Sequence, residues 1–283
     1  SLYLTTNQGA NWDSVILSLP NTNERFTEIQ FHPINPDTFY VSSAGNDARI
    51  YRTVNGGFTF TDITSNFTTN SNLQNIRIDV APSQPNILYA TIKMNGGAVV
   101  TYKNSNIGGT NQETYSISGP YFGGIDRSIF EVHPNNTDIK LFGNIPMGRS
   151  INGGQNVSNY RLYMHDDMRG SDMVNGLAAI AHDGGISMST NNGASWSFKS
   201  DGLNVQQNWA HDVNDDFTYI VSAMQDIGFY SYDIASDTWK MLYPGEGGRN
   251  MISKINQSIG LVNSYCGWSA GTCDFGVRKY LNS

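Results

Sequence analysis

His165, Asp166 and Asp167 stand in a row in the middle of the chain, and His182–Asp183, His211–Asp212, Gln225–Asp226 and Glu246 follow at intervals. Carboxylates gathered with amide and backbone oxygens suit a hard cation such as Ca²⁺, and the imidazoles suit a softer metal. The full Asp-x-Asn-x-Asp-Gly spacing of a dedicated calcium loop is absent, so the metal stays unassigned. The same carboxylates offer a hydrolytic reading. Cleavage of a glycosidic bond needs two carboxyl groups facing one bond, about 5 to 9.5 Å apart, and Asp226 with Asp167 or Asp183 is the pair available. The structural alternative is that these residues end strands, cap turns and hydrogen-bond water.

The elements that must position these groups announce themselves by repetition. The pattern Ser/Thr-x-Asn-x-Gly-x-x-aromatic occurs at Thr5-Asn7-Gly9-Trp12, at Thr53-Asn55-Gly57-Phe60 and at Ser189-Asn191-Gly193-Trp196. A weaker copy, Ser150-Asn152-Gly154, lacks the aromatic. Asn and Gly accept the positive φ of a tight hairpin, and Ser, Thr and Asn side chains bond the turn's own backbone. The terminal Trp or Phe then serves as an apolar plug between neighbouring units. The octet is a folding device, not a catalytic box.

Each octet follows a short strand, and similar strands without the octet occur at VVTYK, FYSYD and GVRKY. Anchored on Thr5, Thr53, Lys103, Ser150, Ser189, Tyr232 and Lys279, the spacings are 48, 50, 47, 39, 43 and 47. FHPINPDTFYVSS, VAPSQPNILYATI, VHPNNTDIKLFGN and VNDDFTYIVSA keep the same beat, each with a turn before a β-rich run. The unit is therefore strand, Pro/Asn turn, strand, linker, strand, Asn-Gly hairpin, strand. No amphipathic helix of ten or more residues is expected. A lone unit is a marginal sheet, and radial stacking buries its faces. The expected fold is an all-β propeller of four-stranded blades, seven or alternatively six in number. Residues 1–283 form one domain of about six repeats with partial units at both ends.

Composition agrees: 14% charged residues, 12% aromatic and 29 glycines suit short strands and tight turns. A net charge of −7 and a pI near 5.1 leave no Lys/Arg stripe for phosphate backbones, which excludes nucleic acid as the expected partner. No run approaches the roughly 18 apolar residues of a membrane span. The chain opens in mid-strand, as a processed or partly covered chain would, within a longer protein. Cys266 and Cys273 in YCGWSAGTC lie close enough to staple a local loop, and read as a disulfide of an oxidising compartment, two reduced thiols being the other reading.

The octets resemble Asp boxes, the BNR-type Ser/Thr-x-Asp-x-Gly-x-x-Trp hairpins of sialidases, sortilin-type receptors, xyloglucanase-type glycoside hydrolases and many bacterial surface propellers. Asn replaces Asp in all four copies. The run HDGGISMSTNNGASWSFKSDGLNVQQNW, with SAMQDIGFYSYD, is similar to secreted propellers of Bacteroidetes-type bacteria exported by the type IX pathway; this closer likeness covers about residues 163 to 233. It implies an axial funnel lined by His165, Asp166, Asp167, Asp183 and Asp226. Glu246 in GEGG departs from that subgroup's Gly-Gly-Asp-Gly run. The sialidase arginine triad is not matched. The resemblance implies a secreted or cell-surface module that binds protein or glycan without turnover through residues such as His182, Gln225 and Glu246 beside the carboxylates. A polysaccharide hydrolase of the xyloglucanase type is the alternative, and a structural spacer of a large surface protein a further one.

Overall fold

The computed structural model describes residues 2–15, 25–105, 109, 112–117, 128–159, 164–200, 202, 207–253, 255–256, 259–264 and 276–281. Among them the only helical turn is a 3₁₀ segment at Thr64–Asn66, and everything else that is regular is strand. The chain falls into two compact units, Ser1–Leu203 and Asn204–Ser283.

The first unit opens with a two-stranded hairpin of β1 (Leu2–Leu4) and β2 (Asp13–Val15). Four antiparallel meanders follow in chain order. They are β3 (Arg25–Phe31), β4 (Phe39–Ala44), β5 (Ile50–Thr53) and β6 (Thr61–Asp62); then β7 (Leu73–Asp79), β8 (Leu88–Met94), β9 (Val99–Asn104) and β10 (Gln112–Ile117). Next come β11 (Ile129–Val132), β12 (Lys140–Gly143), β13 (Met147–Ser150) and β14 (Ser158–Asn159), and finally β15 (Met168–Val174), β16 (Leu177–His182), β17 (Gly185–Ser189) and β18 (Ser197–Phe198). The second unit holds one more meander, β19 (Asn208–Val213), β20 (Tyr219–Met224), β21 (Gly228–Asp233) and β22 (Thr238–Tyr243). It ends in a three-stranded sheet of β23 (Arg249–Ile252), β24 (Ile259–Ser264) and β25 (Gly276–Leu281). The strand–turn–strand–hairpin order expected from the repeat is the order observed.

The turns between first and second strands are closed by side chains. His32 Nδ1 accepts the amides of Ile34 and Asn35, and His133 Nδ1 those of Asn135 and Asn136. In the second unit Asn214 Oδ1 does the same for Thr218 and Tyr219. These polar residues satisfy backbone donors that a tight turn leaves open.

All four octets share one hydrogen-bond pattern. In the best-packed copy the Ser189 hydroxyl donates to Asn191 Oδ1 (2.9 Å) and accepts from the Gly193 amide (2.9 Å), while Ser195 N–H donates to Asn191 Oδ1 (2.8 Å). Thr5, Thr53 and Ser150 repeat the hydroxyl contacts with their own asparagines and glycines. Two copies use the amide that an Asp would lack: Asn55 Nδ2 donates to Thr59 Oγ1 and Asn191 Nδ2 to Ser195 Oγ, each at 2.9 Å.

The aromatic plug holds in part. Trp196 is buried between meanders, against Ile129 and Leu141 on one side and Met168, Met173 and Ile180 on the other. Phe60 packs on Leu2, Phe39 and Tyr51. Val157 takes the aromatic's place in the weak copy and packs on the cluster of Tyr89, Phe130 and Phe142. Trp12 departs from the expectation: it is 59% exposed, because its hairpin has only two strands and offers no sheet face to fold against. Cys266 and Cys273 lie outside the described residues.

Candidate functional site

Of the residues singled out for chemistry, Asp183 and Gln225–Asp226 lie at turns between second and third strands, whereas His211 and Asp212 lie on the first strand β19 and Glu246 between β22 and β23. In the first unit the turn is that of β16–β17, Asp183–Gly184, and the loop 164–167 that leads into β15 lies against it. Contact is close enough that a Cβ on Gly184 would stand 2.6 Å from His165 Cβ, so this position admits only glycine. The loop is docked by main-chain bonds from Asp167 N–H to Ile145 O and from Met168 N–H to Asn144 O. Asp167 takes a left-handed φ of 66°, which turns its side chain out of the strand direction.

A carboxylate oxygen of Asp167 comes within 4.8 Å of one of Asp183. Both oxygens of Asp183 are engaged by Arg169, through Nε at 2.6 Å and Nη2 at 2.8 Å. This is the planar fork-on-fork arrangement that favours a fixed, ionised carboxylate. Arg169 reaches it because β15 slips register between Met168 and Gly170, and the extra residue of that bulge is Arg169. Its side chain is 39% accessible.

His182 has a different part. Its ring is buried in a column between His165 (centroids 6.4 Å) and Phe198 (6.0 Å), and Nε2 pairs with Ser187 Oγ at 3.0 Å. Burial, with His165 nearby, lowers its pKa to about 4, so it is neutral at pH 7. His165 is half-buried, and its Nδ1 lies 3.1 Å from the Asp166 carbonyl.

In the second unit Gln225 and Asp226 form the corresponding β20–β21 turn. Gln225 N–H donates to Gln207 O, and Gln225 Nε2 to Asp226 Oδ2 at 3.4 Å. Asp226 N–H donates to Glu246 Oε2 at 3.3 Å, so Glu246 sits beside Asp226 despite its departure from the expected run. The glycines are obligatory here too: a Cβ on Gly228 would lie 2.2 Å from Tyr243 O, and one on Gly247 2.4 Å from Met224 O.

Sequence reasoning passed over Arg169 and, apart from Asp212, a set of acids on first strands. Asp79 accepts the Val80 amide with Oδ1 (2.7 Å) and the Val132 amide with Oδ2 (2.6 Å), joining β7 to β11. Asp212 does the same with Val213 and Ile252, joining β19 to β23. Glu131 accepts from Ser171 Oγ at 3.1 Å, joining β11 to β15, and Arg77 pairs with Glu28 across β7 and β3. Burial and neighbouring carboxylates push Glu131 up to about 9 and Asp79 to about 7. The signal was available: an acid followed by valine precedes the Pro/Asn turn at Asp79–Val80, Glu131–Val132 and Asp212–Val213.

No family model matches the chain, and no curated protein matches it. Solved structures do. One is a GH74 enzyme from Niastella koreensis, at 16% identity and a TM-score of 0.51, covering 86% of this chain and 41% of that one. Another is the GH74 xyloglucanase from Xanthomonas campestris, at 14% identity and a TM-score of 0.51, covering 96% and 47%. YCF48 bound to D1 peptide matches at 12% identity and a TM-score of 0.47, over 97% and 84%. The chain thus spans less than half the length of the two GH74 proteins. With the four-stranded antiparallel meanders, the likeness to the GH74 structures defines the class: an all-β protein with a β-propeller fold.

Proposed function

We propose that this chain is a non-catalytic binding propeller of the secreted or cell-surface kind, recognising protein or glycan at the rim formed by residues 164–167 and the Asp183–Gly184 turn. The observation that carries this reading is the bidentate Arg169–Asp183 pair beside Asp167. A carboxylate held on both oxygens by a guanidinium favours its ionised form, so it serves poorly as a proton donor. Its separation from Asp167, at most 4.8 Å between the nearest oxygens, is below the roughly 6.5–9.5 Å of an inverting enzyme and nearer the roughly 5–5.5 Å of a retaining one, so it is the Arg169 pairing that speaks against turnover. What the rim brings together is a mixed set of groups: a guanidinium, carboxylates and an imidazole. Such a set matches sugar hydroxyls or peptide amides. The octet hairpins and the motif of residues 163–233 support a secreted, Asp-box type of propeller, with type IX export as the route.

The test is titration against arrayed oligosaccharides and immobilised surface proteins. The reading expects Arg169→Ala to weaken binding by about tenfold or more, the loss of a charge-assisted contact of about 1.5–3 kcal/mol. A ligand bound equally well by Arg169→Ala and Asp167→Ala variants sinks the assignment of this rim. The second reading, a xyloglucanase-type hydrolase using Asp226 with Asp167 or Asp183, draws on the GH74 likeness.

A further inference from the structure

Five Asn-Gly pairs occur in the chain: Asn55–Gly56, Asn95–Gly96, Asn152–Gly153, Asn175–Gly176 and Asn192–Gly193. Asn-Gly is chemically the least protected asparagine context, because glycine brings no side chain to shield its amide nitrogen. That nitrogen can attack the asparagine Cγ. A new N–Cγ bond closes a five-membered succinimide, the Cγ–Nδ2 bond breaks, and ammonia leaves with the proton from the glycine amide. Water then opens the ring at either carbonyl, giving aspartate or isoaspartate. The step needs the glycine nitrogen free to lose its proton and the side chain free to swing onto it.

The fold divides the five pairs. Three lie in octets, and there the glycine amide is held: Gly56 N–H donates to Asp37 O (2.8 Å), Gly153 N–H to Asp138 O (2.9 Å) and Gly193 N–H to Ser189 Oγ (2.9 Å). Their side chains are held as well. Asn55 Oδ1 accepts from Thr59 N–H, Asn152 Oδ1 from Asn156 N–H, and Asn192 Oδ1 lies 2.8 Å from His133 Nε2. The other two are hairpin tips. Asn95 is exposed in the β8–β9 turn, where Gly96 and Gly97 have nothing within 4 Å of a would-be Cβ. Asn175 is exposed in the two-residue β15–β16 turn between paired Val174 and Leu177. Among the described residues neither Gly96 N–H nor Gly176 N–H meets an acceptor.

We infer that Asn95 and Asn175 are sites of spontaneous conversion to aspartate and isoaspartate, and that the octet bonding shields Asn55, Asn152 and Asn192. The Asn95 turn joins second to third strand, as the Asp183 turn does, so conversion there adds a carboxylate at the strand ends that carry the candidate rim. The octets keep the amides whose Nδ2 groups brace Thr59 and Ser195.

The test is to age the whole protein in mildly alkaline buffer, natively folded and in denaturant, and to follow each asparagine by peptide mapping. The expected native result is a gain of one mass unit with a paired isoaspartyl isomer at Asn95 and Asn175, several-fold ahead of the three octet asparagines. In denaturant the five rates converge. Asn95→Gln removes the first signal and leaves the second. An octet asparagine converting in the folded protein as fast as either tip overturns the inference, and so does a native order that persists unchanged on unfolding.

Discussion

Ser189, Asn191 and Trp196 show what one repeat asks of single residues. The serine hydroxyl is both donor and acceptor, the asparagine ties the hairpin to Ser195, and the indole fills the gap between meanders. Trp196 is 8% exposed and its Nε1 donates to Gly193 O, so Trp196→Ala removes a large buried surface; a loss of about 3–5 kcal/mol is expected in denaturant unfolding. Trp12→Ala, at the same octet position but 59% exposed, is expected within about 0.5 kcal/mol of the parent. Equal losses for the two would mean that Trp12 is packed as Trp196 is. The octet role was legible because turn chemistry is local. The exposure of Trp12 was not, since it depends on whether a neighbouring sheet exists. Arg169 was equally invisible, its direction being set by a bulge that residue types alone do not announce.

At the scale of elements, first strands are tied to one another by carboxylates. Asp79 bridges β7 to β11 and Glu131 bridges β11 to β15; the charged groups around them are Glu28, Arg77 and Asp172. Desolvation raises both groups, to about 7 and about 9. A carboxyl whose folded pKa lies above its unfolded value near 4 binds its proton more tightly in the fold. Its contribution is therefore fully present below about pH 4 and is lost as pH rises through the folded value. Unfolding midpoints are thus expected to fall between pH 6 and about 9, and Glu131→Gln, which keeps a neutral group beside Ser171 Oγ, is expected to flatten that fall. A Glu131→Gln protein with the parent's full alkaline decline would contradict the assignment. The strands themselves were readable from their period. Which strands an acid joins was not, because such bonds cross the repeat and connect residues some fifty positions apart.

For the whole molecule, repetition made the propeller legible before any coordinate: one strand, four times followed by the octet and returning every 39 to 50 residues, with a turn motif on the same beat, specifies four-stranded sheets. Function did not follow from the same signal, since a fold shared with GH74 enzymes at 14–16% identity carries architecture and leaves chemistry to individual side chains. The proposed recognition role rests on those side chains, with Asp183 fixed by Arg169 and His182 buried and neutral. The most direct measurement incubates the protein with xyloglucan and other β-glucans, following bound polymer and newly formed reducing ends in the same samples. Retention of a ligand without reducing ends above the protein-free control is the predicted result. Steady release of reducing ends, abolished by Asp226→Ala, would contradict it.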